Sequence, residues 1–155
     1  MKFLDNLGRT VTLHLNKFNP DIKHVLVIPK HNGNYLLTRH KVRGVEFPGG
    51  KIESGETVAD GARRELYEET GGVMDSCEYV GFYRVEDTSG FDIVKAVVFA
   101  HVSRVEAKDD YLETDGPRIV RTLDDVDEKD KSPLLDDACI QYLYEMSLSH
   151  EFFKG

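Results

Sequence analysis

Residues 49–72, GGKIESGETVADGARRELYEETGG, decide the fold. Two glycines open the stretch, and glycine backbone can turn tightly and approach a ligand closely. Thr57, with Asp60 three residues on, forms a capping-box variant, and VADGARRELYEET contains no proline, so a helix is expected here. Gly71-Gly72 ends that helix, as glycine does just past a C-terminus. Gly61 inside it costs roughly 1 kcal/mol relative to alanine, which a close packing contact would explain.

On such a helix Glu65, Glu68 and Glu69 stand at i, i+3 and i+4 and project from one face. Like charges at that spacing destabilise an isolated helix, and more so where solvent is excluded. Something positive should offset them. Arg64 is one candidate, with Glu56 and Glu68 as partners; a divalent cation is the stronger one. Clustered carboxylate oxygens suit Mg²⁺ or Mn²⁺, hard ions that favour oxygen ligands. Standing alone, RRELYEE would be an ordinary solvated face.

Outward from the stretch, VTLHL (11–15) alternates as a strand, and HVLVIP (24–29) and NYLLTRH (34–40) read as a hairpin joined through Asn-Gly. Further strands are expected at 78–85, 91–102 and 118–123. LLDDACIQYLYEMSL (134–148) has apolar residues at helical spacing. This order predicts an α+β fold, an α/β/α sandwich with a mixed sheet between helices, as one domain over 1–155.

The chain has 155 residues, 40% of them apolar, enough for one core. No apolar run approaches a bilayer span and MKFLDNLGRT lacks a signal-peptide core, so a cytoplasmic protein is expected. Cys77 and Cys139 form no metal or disulfide motif. Net charge is −8, which disfavours non-specific nucleic-acid binding. Its distribution is uneven. Asp21 to Lys51 holds six Lys/Arg against two acids, net +4; Glu106 to Asp137 holds five against twelve, net −7. A basic segment beside a carboxylate cluster could hold a phosphate chain and its metal.

With these residues in view, the stretch resembles the Nudix box through Gly50, Glu56, Arg64, Glu65, Leu66, Glu68, Glu69 and Gly71. Seven fixed identities at frequencies of about one in fifteen would coincide by chance on the order of once in 10⁸ trials. One position departs: Gly72 stands where a bulky apolar residue usually packs the helix end. The resemblance, with the Nudix box at 50–72, implies that the loop-helix-loop of residues 49–72 carries a metal site, with the Gly49 carbonyl and Glu65, Glu68 and Glu69 as ligands. It implies that Glu56 and Arg64 pair and brace the box. It also implies hydrolysis by water within the phosphate chain of a nucleoside diphosphate derivative, with Mg²⁺ or Mn²⁺ as cofactor. Glu65 is the first candidate for general base; Glu113 is a candidate base, a further metal ligand, or simply a surface-loop acid.

LLTRHKVRGVEFPGGKIESGET is similar to MutT-like nucleoside triphosphate pyrophosphohydrolases, in particular the YtkD type, over residues 20–123. That similarity implies that Glu46, Phe47, Pro48 and Gly49 border the nucleotide and metal. Lys51 is implied to contact substrate, and Arg39 or His40 to contact its phosphate. Other branches match less well: no proline lies between Pro48 and Pro117, and Tyr83 falls only twelve residues past Gly71. Two activities follow from the type. One converts (d)NTPs such as 8-oxo-dGTP to the monophosphate and pyrophosphate; the other removes pyrophosphate from an RNA 5′ end. A non-catalytic nucleotide-binding module would be expected to have lost box glutamates, and all are present.

Overall fold

Asn32 and Gly33 both adopt positive φ, 51° and 80°, and turn β3 (His24–His31) directly back into β4 (Asn34–His40). Such a two-residue turn matches the twist of the strands it joins. The structure is a computed structural model that describes residues 1–154; Gly155, the last residue of the expected domain, lies outside the described residues. Around this hairpin lie β1 (Lys2–Leu4), β2 (Thr10–Leu15), β5 (Gly44–Glu46), β6 (Gly49–Lys51), β7 (Gly72–Val85), β8 (Ile93–Val105) and β9 (Thr114–Val120). They form one mixed sheet in the order β1-β2-β7-β8-β3-β4-β5, with β6 on β3 and β9 on β4. β3 and β8 run parallel; the other pairs are antiparallel.

Alternation along β3 feeds two cores. Val25 and Val27 face α1 (Val58–Thr70), where they join Leu36, Ala62, Leu66 and Val98. Leu26 and Ile28 face α2 (Ala138–Leu148), with Tyr35, Val97, Phe99 and Leu143. The sheet is therefore buried on both faces between two helices, the expected sandwich.

The decisive helix begins and ends where its sequence says. The Thr57 side chain accepts from the Asp60 N–H, the Asp60 carboxylate accepts from the Thr57 N–H, and Gly71 closes the helix with φ 77°. At Gly61 a Cβ would lie 3.1 Å from Ile52 Cγ1, the close contact its presence in a helix suggested.

Other boundaries differ from expectation for local reasons. β7 starts at Gly72, not at residue 78, because register shifts near Met74, Ser76 and Gly81 interrupt the alternation that marks a strand. A 3-10 turn occupies Pro133–Asp136, and α2 starts only after Asp137, whose carboxylate accepts from Ile140 N–H. β9 lies four residues before the expected 118, opening at Thr114. β1, β5 and β6 have three residues each, too short for a pattern to show. Among the described residues no helix is long and apolar enough to cross a membrane.

The departure at Gly72 has a packing explanation. A Cβ there would come 2.8 Å from Leu36 Cδ2 and 2.9 Å from Thr70 Oγ1. Thr70 is itself fixed, donating to the Leu66 carbonyl at 2.6 Å and accepting from Gly72 N–H at 2.9 Å. Leu36 and Leu66, both fully buried, already close the helix end. Gly72→Leu should therefore lower stability by about 1–3 kcal/mol through overpacking. Urea unfolding reads this; a stabilised variant would show that the space is not filled.

Candidate active site

β4 stays on β3 only at the hairpin end, through Lys30 and His31. The edge this leaves on β3 is taken by the chain at 48–51. Pro48 accepts from Val27 N–H at 2.9 Å, and Gly49, Gly50 and Lys51 pair with Leu26, Val25 and His24. A Cβ at Gly49 would fall 2.3 Å from the Val25 carbonyl, and one at Gly50 would fall 2.6 Å from the Glu65 carboxyl. Glycine alone permits the first, against backbone of β3, and the second sets the loop backbone against the acidic face of α1.

Arg64 joins the parts. Its Nε and Nη2 donate to the Glu56 carboxylate at 2.8 and 2.9 Å, and Nη2 also donates to the Lys51 carbonyl at 2.8 Å. Nη1 reaches Glu65 at 2.9 Å and Glu68 at 3.3 Å. The guanidinium holds Glu56 down to about 2 and is itself pushed upward. The brace implied by the motif is present in geometry.

Two carboxyls move the other way. Burial raises Glu65, against the pull of Arg64. Burial raises Glu69 to about 8, aided by the nearby charges of Glu65, Glu46 and Glu113, although Gly49 N–H donates to its Oε1 at 2.8 Å. In a cluster of this kind the last proton leaves reluctantly because each ionised neighbour opposes the next charge.

Glu113 arrives from the loop before β9. Lys108 Nζ donates to the carbonyls of Tyr67 and Glu68, and the Thr38 and Thr114 hydroxyls both donate to Glu69 O. These bonds satisfy the open carbonyls of the helix end and fix the loop there. Glu65, Glu68, Glu69 and Glu113 then line one cleft of about 570 Å³ with Gly49, Gly50 and Lys51.

Not every residue singled out from the sequence comes to this cleft. Arg39 points to another surface, 4.0 Å from Asp115 and 3.9 Å from Asp130. His40 Nδ1 accepts from Val42 and Arg43 N–H and orders the turn into β5. Contact of Arg39 or His40 with phosphate in the carboxylate cleft thus has no support in the geometry. Glu46 and Phe47 are buried beside a second, smaller cleft, which shares Gly49 and Gly50 with the first. His24 lines both and was not foreseen; only the pairing of β3 with β6 and β8 brings it there. Leu112, with φ 61°, was likewise silent in sequence and stands at the cleft beside Glu113.

The donor set is all oxygen, as a hard divalent cation requires. Among the described residues no three such groups are gathered in ligand geometry as they stand, since Glu65 and Glu68 turn to Arg64 and Glu69 to Gly49 N–H. The raised Glu65 and Glu69 and the glycine cradle, which a Cβ would fill, fit a cation in that position.

A family model described as NUDIX domain matches residues 20–137. The chain belongs to the NUDIX family. It is 41% identical over 124 residues to a protein of Bacillus subtilis described as putative 8-oxo-dGTP diphosphatase YtkD, covering 79% of this chain and 78% of that one. A crystal structure of the B. subtilis pyrophosphohydrolase BsRppH superposes with TM-score 0.89 at 35% identity, over 97% of this chain and 98% of that one. The 8-oxo-dGTP diphosphatase of Escherichia coli is 44% identical over 50 residues, 29% of this chain and 39% of that one.

Cation binding should be linked to protons with a definite sign. Glu69 at about 8 is mostly protonated at pH 7 without metal, and a ligand carboxyl must be ionised. Mg²⁺ binding at pH 7 should release about one proton and affinity should rise with pH; above about pH 8 the release should fall away and the affinity should level off. Glu69→Gln should remove most of the release. Titration calorimetry in two buffers of different ionisation enthalpy measures it; no proton release at pH 7 would contradict the placement of metal at Glu69.

Proposed function

We propose that this Nudix hydrolase cleaves nucleoside 5′-triphosphates to the monophosphate and pyrophosphate with Mg²⁺ or Mn²⁺, acting in the cytoplasm as one domain across the whole chain. The observation that carries the reading is the gathering of Glu65, Glu68, Glu69 and Glu113 with Gly49 and Lys51 around one cleft. Glu65, Glu68 and Glu69, with the Gly49 carbonyl, are the groups we assign to hold the cation. When bound, such a cation neutralises phosphate oxygens and lowers the pKa of a coordinated water.

The chain's own residues supply the rest. Lys51, exposed at the cleft, attracts the phosphate chain and offsets charge on the leaving pyrophosphate. Arg64 and Glu56 hold the loop at a fixed distance from the helix, so that the phosphate and carboxylates meet in one geometry. Glu65, raised by burial, is the carboxyl we assign to take the proton of the attacking water. Glu113, pinned beside it through Thr114, completes the acidic wall.

An RNA 5′-triphosphate end is the second substrate reading. It uses the same bond cleavage, and it is favoured by the second cleft on the other side of Gly49-Gly50, which is lined by His24 and Arg43 of the basic 21–51 segment. The likeness to the B. subtilis pyrophosphohydrolase and to YtkD supports both readings.

With Mg²⁺, the protein should release pyrophosphate from dGTP, 8-oxo-dGTP, GTP or a 5′-triphosphorylated oligoribonucleotide. Product analysis across these substrates separates nucleotide from RNA activity. Glu68→Gln and Glu69→Gln should each reduce kcat/KM on the order of a hundredfold or more while the circular dichroism spectrum stays native. Undiminished rates in both variants would remove the metal assignment.

A further inference from the structure

Leu112 differs from the rest of the carboxylate cleft in its chemistry and in its backbone. Among the described residues it is the one aliphatic side chain that lines this cleft; the other side chains there are carboxylates, Lys51, Arg64 and His24. It is 53% exposed. A single exposed leucine on a protein surface needs no explanation. This one has φ 61°, a left-handed conformation in which the Cβ of an L-residue crowds its own backbone. Glycine or asparagine occupies that conformation with little strain. Asn16 and Asn32, the other non-glycine residues with positive φ among those described, follow the rule, and Leu112 breaks it.

The loop around it is tied down on both flanks. Before Leu112, Lys108 Nζ binds the last carbonyls of α1, and Lys108 N–H donates to the Tyr111 hydroxyl at 3.0 Å. Leu112 N–H itself donates to the Asp110 carboxylate at 2.8 Å. After it, Glu113 O accepts from Lys41 N–H at 3.2 Å, and the Thr114 hydroxyl donates to Glu69 O at 3.0 Å. Leu112 belongs to neither of the two cores, so packing within the fold does not account for a leucine at this position. A turn alone would be better served by asparagine. Backbone strain that the surroundings hold in place concentrates where a side chain serves a ligand.

An aliphatic side chain finds few partners in a phosphate cleft. Phosphate oxygens and their cation are not among them, because an alkyl group set against charge takes water away from that charge. The apolar surface nearest to the phosphates of a nucleotide is the 5′-methylene and the carbon face of the sugar, one ester bond from the α-phosphorus. We propose that Leu112 is a substrate contact that packs on the 5′-methylene and sugar carbons of the substrate's first nucleoside. It thereby distinguishes a nucleoside triphosphate from a bare phosphate chain, whatever base is attached. The proposal rests on the carboxylate cleft being the phosphate site. A free nucleotide and an RNA 5′ end present the same sugar carbons there.

The test compares Leu112→Asn with the wild-type protein in the presence of Mg²⁺. Asparagine accepts the left-handed backbone, so the variant should unfold at a urea concentration no lower than the wild type does. KM should rise about five- to tenfold with a smaller change in kcat, as the loss of roughly half a leucine's burial against substrate would give. A rise with GTP identifies the free nucleotide as a source of the sugar, and a rise with a 5′-triphosphorylated oligoribonucleotide identifies the RNA end. Leu112→Met, which restores an apolar side chain, should recover most of the loss. Inorganic tripolyphosphate carries no sugar, so calorimetry should find its affinity equal in wild type and Leu112→Asn, while a non-hydrolysable GTP analogue binds the variant more weakly. This comparison needs no turnover and tests the contact even if no triphosphate is cleaved. The assignment would be overturned if Leu112→Asn weakened tripolyphosphate and the analogue alike, left the analogue's affinity unchanged, or unfolded well below the wild type in urea.

Discussion

The pairing of Arg64 with Glu56 is the contact on which the rest of the site depends. One guanidinium binds a loop carboxylate, a loop carbonyl and two helix carboxylates, so the loop after β6 and the helix α1 cannot move independently. Three glutamates on one helical face would otherwise repel one another and the backbone would have no reason to approach them. The two-pronged geometry, which arginine alone among the cations can make, gives direction as well as charge. The glycines answer to two neighbours: at Gly49 the pairing with β3 leaves no room for a Cβ against the Val25 carbonyl, and at Gly50 the loop drawn onto the helix brings a Cβ position against the Glu65 carboxyl.

The sheet supplies the second constraint. Because β4 leaves β3 after the hairpin end and pairs with β9 and β5, a gap opens along β3 that residues 48–51 fill. The glycine loop thereby separates two clefts on the same sheet, one walled by carboxylates and one by apolar side chains. On the far side, Lys108 of the loop before β9 and Thr114, the first residue of β9, cap the last carbonyls of α1, which places Glu113 beside the helical glutamates. A single helix end thus orders both walls of the carboxylate cleft.

The sequence was most legible where physics is local. The Thr57–Asp60 capping box, the Asn32-Gly33 turn and the spacing of Glu65, Glu68 and Glu69 each act within a few residues, and each appears in the structure as expected. Legibility failed where distant strands decide. Lys95 and His24 are 71 positions apart and become neighbours only through the parallel pairing of β3 and β8. Contact of Arg39 or His40 with phosphate is what the similarity to YtkD-type enzymes implies, and a resemblance carries no information on where a strand turns. In the fold, β4 has turned toward β9 by that point, so Arg39 faces acids on another surface and His40 folds onto its own turn. β7 began early because its bulges mask the two-residue period by which a strand is recognised.

We assign the acidic face of α1, opposite Gly49, as a divalent cation site. A crystal structure of the protein with Mn²⁺ and a non-hydrolysable triphosphate analogue, with anomalous data at the manganese edge, tests it most directly. An anomalous peak is expected at about 2.0–2.3 Å from carboxylate oxygens drawn from Glu65, Glu68 and Glu69, with Glu65 or Glu68 turned from Arg64 to the ion while the Arg64–Glu56 pair stays in place. A peak located away from these glutamates, with Glu65 and Glu68 still bound to Arg64, would contradict it.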